Sequence, residues 1–157
     1  MKRKDKLMKI AVFPGSFDPI TLGHLDIVNR GINLFDKIII GVGTNSEKKY
    51  MFSIAKRIEF VEKTFLGIES IEIESFEGLT IDFCQKKNAG FILRGVRNPG
   101  DFEFEKTIAL TNRKLSGIET IFLLTSPNTS YISSSIVREI IANKGDYKHL
   151  VPKDLVF

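Results

Sequence analysis

The sequence predicts an α/β fold: one domain built on an open, doubly wound sheet of about five parallel strands, with helices on both faces. Three observations predict it. Five short apolar runs, near 9–13, 37–43, 70–75, 90–94 and 119–124, alternate with segments whose apolar residues recur at helical spacing. Runs such as Ile38-Ile39-Ile40 and Ile121-Phe122-Leu123-Leu124 are apolar at consecutive positions, as suits strands covered on both sides. Each run is followed by a polar or glycine-bearing segment, and in an open sheet the carboxyl ends of the strands are where ligands bind.

Taken in order, Ile10-Ala11-Val12-Phe13 reads as a buried strand, and Pro14-Gly15 and Asp18-Pro19 then turn the chain. Leu25, Val28, Ile32 and Phe35 fall on one helix face, which places Gly23-His24 in that helix's first turn. The second strand runs into a 44–50 loop, and Ile54, Ile58, Val61 and Phe65 mark the next helix. After the third strand, Gly78-Leu79-Thr80 opens a helix in which Leu79 and Phe83 read as core. The fourth strand, Phe91-Ile92-Leu93, ends in a turn at 94–97; Asp101 reads as the cap of a helix whose apolar stripe is Phe104, Ile108 and Leu115. The fifth leads through 126–135 to a helix around Ile136, Val137, Ile140 and Ile141, with Ser133-Ser134-Ser135 as its cap. No internal repeat, linker or low-complexity tract interrupts this order.

A chain of 157 residues, 43% hydrophobic and 27% charged, suits a single globular domain, here 9–157. Lys2, Arg3, Lys4 and Lys6 precede the first strand with nothing to bury, so residues 1–8 are expected to be a disordered basic leader. The longest apolar stretch, Ile38-Ile39-Ile40-Gly41-Val42, is too short for a membrane span, and the start lacks the apolar segment of a signal peptide. The expectation is a cytoplasmic protein with no membrane partner. The lone Cys84 excludes an intrachain disulfide and reads as core filler, and two histidines, His24 and His149, make no zinc set; no metal ligand is assigned, and His149 reads as structural or exposed. The charge of +4 is scattered over all the helices instead of forming a stripe, which argues for small anionic substrates and against nucleic acid.

The chemistry concentrates in the stretch from Phe13 to His24, where strand end, tight turn, helix start and histidine share twelve residues. Free amides and the helix dipole at that end form an anion site, Gly15 and Gly23 leave the backbone open to a ligand, and His24 supplies a hydrogen bond to phosphate oxygen. The plainer reading of His24 is a half-buried helix-terminal histidine. Neighbouring phosphates raise such a histidine's pKa and the helix N-terminus lowers it. Lys48 and Lys49 read either as a solvated pair or as phosphate ligands. Arg94 and Arg97, beside a strand end, read either as partners of Asp101, Glu103 or Glu105, or as forks for an anion. Asp18 reads as structural, since a short acceptor before proline suits turn initiation and a bare carboxylate directly facing phosphate is unfavourable.

At these residues the chain resembles the nucleotidyltransferases that carry a T/H-x-G-H signature, here Thr21-Leu22-Gly23-His24, and more closely the phosphopantetheine adenylyltransferase family. The resemblance rests on an ordered set: PGSFDPITLGH at 14–24, Lys48-Lys49, ILRGVR at 92–97, DFEFE at 101–105 and YISSS at 131–135. It implies a Rossmann-like fold. It also implies transfer of AMP from ATP to 4′-phosphopantetheine, giving dephospho-coenzyme A and pyrophosphate by direct in-line attack with no covalent intermediate. Magnesium comes with the ATP, and subunits form homohexamers. By resemblance His24 and Lys48 are catalytic, His24 stabilising the pentacoordinate transition state and Lys48 orienting the reacting phosphates. Ser16, Lys48, Thr80 and Arg94 bind phosphopantetheine. ATP is bound by Ser16, Phe17, His24, Gly95, Val96, Arg97, Glu105, Thr129, Ser130, Tyr131, Ile132, Ser133, Ser134 and Ser135. Three positions depart from the family pattern: Ser16 replaces threonine, Phe104 a common tyrosine, and Thr129 an aromatic residue. The rivals are a cytidylyltransferase or nicotinamide-nucleotide adenylyltransferase of the same fold, and a non-catalytic nucleotide- or RNA-binding module.

Overall fold

The apolar runs pair side by side into one parallel sheet, because each is too short and too apolar to stand alone. The computed structural model describes residues 7–153 and 155–157. Of the expected leader, 1–6 lie outside the described residues, and Leu7 and Met8 are exposed. The elements alternate strictly: β1 (Ile10–Gly15), α1 (Leu22–Gly31), β2 (Lys37–Thr44), α2 (Ile54–Thr64), β3 (Ile71–Glu77), α3 (Thr80–Lys86), β4 (Phe91–Val96), α4 (Pro99–Ser116), β5 (Glu119–Leu124) and α5 (Ser134–Ala142). The sheet order is β3-β2-β1-β4-β5, all parallel. The chain therefore builds outward from β1 to β3, then returns to the centre for β4. No helix among the described residues is long and apolar enough to cross a membrane.

Side chains alternate across the strands and so feed two cores. Ala11, Phe13, Ile38, Ile40 and Val42 pack with Ile27 and Val28 of α1, Phe60 and Val61 of α2 and Val137 of α5. Val12, Ile39 and Ile92 pack on the other face with Ile81, Phe83 and Cys84 of α3. Cys84 is core filler, as expected; burial pushes its thiol up to about 11, which keeps it protonated.

The return to β4 opens the cleft that matters. β1 and β4 are in register at Ala11 with Phe91 and Val12 with Ile92, whereas β1 stays paired to β2 as far as Gly15. Beyond Val12 the two central strands part at their carboxyl ends, the place where an open sheet takes its ligand.

Several boundaries correct the sequence reading. Pro14-Gly15, expected as a turn, extend β1: with β4 gone from that side, a residue without an N–H is tolerated in the strand. Arg94 through Val96, expected as a turn, extend β4 because they pair with Phe122 through Leu124 of β5. α1 ends at Gly31, and Phe35 is buried from the turn beyond it. The cap of α4 is Asn98, whose Oδ1 accepts from Asp101 N at 2.9 Å, not Asp101 itself; Pro99 follows at the position where its missing N–H costs nothing. Leu79 is exposed at the start of α3, so of the two residues expected in the core there only Phe83 is buried. Of the stripe of Phe104, Ile108 and Leu115, Phe104 and Leu115 face outward while Ile108 borders a cavity, and β5 is an edge strand with no buried residue.

Candidate active site

The chain between β1 and α1 makes a tight crossing that is held from every side. Phe17 takes a left-handed φ of 48°, rare for a residue with a side chain, and Asp18–Pro19 is a cis peptide. Asp18 is buried and its carboxylate accepts from Met51 N at 2.8 Å and Phe52 N at 2.9 Å. Asp18 thus serves the fold, but by accepting from the loop after β2 and not by initiating its own turn, as the sequence reading had it. Ser134 Oγ donates to Pro19 O at 2.8 Å, Arg138 Nη1 to Asp18 O at 2.8 Å, and Arg57 Nη1 to Ser16 O at 2.7 Å.

This frame fixes the histidine. His24 is the third residue of α1, and its Nδ1 accepts from Thr21 N at 3.0 Å, beside Thr21 Oγ1 at 3.0 Å. A ring nitrogen that accepts from an N–H carries no proton, so the proton of the neutral ring sits on Nε2. Burial first, then the charges of Arg94 and Arg97, push the His24 pKa down to about 4. His24 is therefore a neutral Nε2 donor at pH 7, packed edge-on against Phe17 at 5.0 Å.

Around it opens a cavity of about 350 Å³ lined by Ser16, Phe17, Gly23, His24, Lys48, Arg94, Gly95, Arg97, Asp101, Glu105, Ile132, Ser133, Ser134, Ser135 and Arg138, among others. Four cations face two carboxylates there. Lys48 Nζ donates to Ser16 Oγ at 3.2 Å. Arg94 Nη1 donates to Pro14 O at 2.7 Å across the parted strands, while its Nε and Nη2 pair with the two oxygens of Glu105. Arg97 Nε pairs with Asp101 Oδ2 at 2.8 Å. The ion-pair reading of both arginines is thus realised, yet three of the five N–H groups of Arg94 are used and two remain for an anion. Ser133 Oγ accepts from Ile136 N at 3.2 Å and caps α5, as the sequence predicts; the N-terminal turns of α1 and α5 converge on the same space.

A second cavity of about 260 Å³ adjoins the first, with Phe76, Ile92, Ile108 and Ala109 giving it an apolar lining and Thr80, Asn112 and Thr120 a few polar groups. The two share Pro14, Gly15, Ser16, Arg94 and Glu105. One pocket suits a polyanion and the other a largely apolar arm, and they meet at Ser16 and Arg94. Among the described residues no three acidic, histidine or cysteine groups converge, and Asp101 and Glu105 are engaged by arginines. The donor set fits a cation carried on a ligand's phosphates.

Residues 12–140 match the cytidylyltransferase-like family. In fold, the chain is similar to a bifunctional NMN adenylyltransferase/ADP ribose pyrophosphatase from Francisella tularensis, with a TM-score of 0.73 and 17% identity over 92% of this chain and 45% of that one. It is also similar to a lipopolysaccharide core biosynthesis protein from Thermoplasma volcanium, with a TM-score of 0.54 and 19% identity over 76% of this chain and 97% of that one. In sequence, a phosphopantetheine adenylyltransferase of Flavobacterium psychrophilum is 64% identical over 93% of this chain and 97% of its own length. The chain belongs to the phosphopantetheine adenylyltransferases. A phosphopantetheine adenylyltransferase of Clostridium perfringens is 47% identical over 95% of this chain and 92% of its own length.

Of the residues that the family resemblance singles out, Ser16, Phe17, His24, Lys48, Arg94, Gly95, Arg97, Glu105, Ile132 and Ser133 to Ser135 line the larger cavity, and Thr80 lines the smaller. Val96 is buried behind the strand, Tyr131 is exposed, and Thr129 and Ser130 bond back to Ser126 and Pro127 in the turn before α5. These four line neither cavity. Reading this adenylyltransferase from sequence missed Arg57 and Arg138, which hold the 16–18 backbone. It also missed Asp26, which accepts from Ser126 N and Oγ and ties α1 to the last loop.

Proposed function

We propose that this chain transfers the adenylyl group of ATP to 4′-phosphopantetheine, giving dephospho-coenzyme A and pyrophosphate. The observation that carries the reading is the pair of cavities meeting at Ser16 and Arg94: one cationic, ringed by two helix N-termini, the other apolar and open. ATP occupies the first, with its phosphates toward His24 and the amides of Ser133 to Ser135. The pantetheine arm lies in the second beside Thr80, and its phosphate reaches Ser16, Lys48 and the free N–H groups of Arg94. The entering phosphate is already an anion, so no general base is needed; the residues position the two reactants and neutralise charge at the α-phosphate. Neutral His24 donates from Nε2 to that phosphate as charge builds in the transition state. Glu105 holds the Arg94 guanidinium flat at the junction.

Magnesium bound to the triphosphate supplies charge neutralisation between phosphates that would otherwise repel. The protein acts in the cytoplasm, where both substrates are expected. A homohexameric assembly is supported by the exposed Phe104 and Leu115 on α4 and the exposed Leu124 of edge strand β5.

Purified protein with ATP, magnesium and a panel of phosphorylated acceptors tests the reading through pyrophosphate release. Release with 4′-phosphopantetheine, and not with nicotinamide mononucleotide, is the expected result. Nucleotide binding without release under any acceptor would favour a binding module instead.

A further inference from the structure

We infer that Arg57 is a positioning residue for this transfer, setting from beneath the site the two groups, Ser16 and Lys48, that grip the phosphates. The inference rests on the adenylyl-transfer reading above. Arg57 stands in the first turn of α2 with 1% of its surface exposed, and among the described residues no carboxylate lies within ion-pairing distance. The buried Asp18 carboxylate acts on it from beyond contact distance, and a buried cation with no carboxylate in direct contact is still costly unless its N–H groups are otherwise engaged. What the guanidinium does hold is backbone. Nη1 donates to Ser16 O at 2.7 Å and to Gly43 O at 2.9 Å, the first residue past β1 and a residue near the end of β2. Both residues border the smaller cavity.

The other partner of Arg57 is the loop that carries Lys48. The Tyr50 ring centroid lies 3.9 Å from the guanidinium carbon, a stacking distance, and the same ring lies 5.5 Å from Lys48 Nζ. Lys48 in turn donates to the hydroxyl of Ser16, the residue whose carbonyl Arg57 holds. One guanidinium thus fixes Ser16 through its backbone and Lys48 through the ring beneath it, without itself lining either cavity. Its Nε stays without a hydrogen-bond partner, so its bonding is spent on these two carbonyls and not on α2.

A role through Ser16 and Lys48 differs from plain packing in how losses combine. Arg57→Met should lower kcat about 10- to 100-fold with the KM for ATP within about threefold, because misplacement of phosphate ligands is felt at the transition state. Arg57→Lys, which keeps the charge, should recover part of that loss. Combined with Lys48→Ala, Arg57→Met should lower kcat no more than about threefold below the worse single variant, since both act on one device. Should Arg57→Met be unfolded at the assay temperature by circular dichroism, Arg57→Gln, which also removes the charge, decides by the same criterion alone and with Lys48→Ala. Wild-type protein that releases no pyrophosphate would sink the reading beneath. Active wild type, with Arg57→Met within about threefold of it or with the two losses multiplying, would sink the role of Arg57 alone.

Discussion

His24 shows how much of this site depends on a single proton. Thr21 N holds Nδ1 as an acceptor, so the ring presents Nε2–H without needing to be charged. Replacing His24 with alanine should lower kcat by on the order of 100-fold or more while ATP still binds, since the lost bond belongs to the transition state; steady-state kinetics beside calorimetric ATP titration check this. Its pKa also sets a stability trend. The folded value of about 4 lies below the usual 6.5, so the unfolded chain takes up the proton first as the solution is acidified. The stabilisation from neutral His24 is complete above pH 6.5 and is lost as pH falls toward 4. Thermal melts across that window should show a steeper decline for the wild type than for His24→Gln; equal slopes would contradict the burial argument. His24 and Ser16 were legible because a turn signature in sequence fixes their neighbourhood, whereas Lys48, in the loop after β2, was singled out only by the family resemblance. Arg57 and Arg138 were not, because an arginine in a helical pattern looks solvated until tertiary contacts bury it.

At the scale of elements, the position of α1 is set by β4. An added Cβ on Gly95 would meet Ile27 Cγ1 at 2.8 Å, and the buried Ile27 could yield only toward the larger cavity that it borders. Gly95→Ala should therefore push α1, and His24 with it, off the sheet. Overpacking of this kind costs about 1–3 kcal/mol, which denaturant unfolding would measure, with a parallel fall in kcat. Unchanged stability would show that α1 is free to slide. The strands were legible from their apolar runs, but their carboxyl ends were not: Pro14, Gly15 and Arg94 resemble turn residues and become strand only because β2 and β5 supply partners. The cap of α4 was misread for a related reason. Asn98 and Asp101 are both good caps by type, and Pro99 fixes the helix start one residue after Asn98.

For the whole molecule, the periodicity of α4 gave the right helix and the wrong face. Phe104 and Leu115 are 69% and 66% exposed, because the helix lays its other side, with Glu105, Ala109 and Asn112, along the smaller cavity. Sequence periodicity marks an apolar stripe without saying whether a sheet or another subunit covers it. A double change, Phe104→Glu with Leu115→Glu, should convert the proposed hexamer to smaller species by light scattering while leaving the fold intact by circular dichroism; an unchanged mass would remove α4 from the interface. Two ligands held in adjoining cavities, so that one phosphate attacks the other directly, are the core of the proposed reaction. With ATP made chiral at its α-phosphorus, the stereochemical course of transfer to 4′-phosphopantetheine tests that claim most directly. A single in-line displacement predicts inversion at phosphorus, and retention would mean that the adenylyl group rests first on the protein.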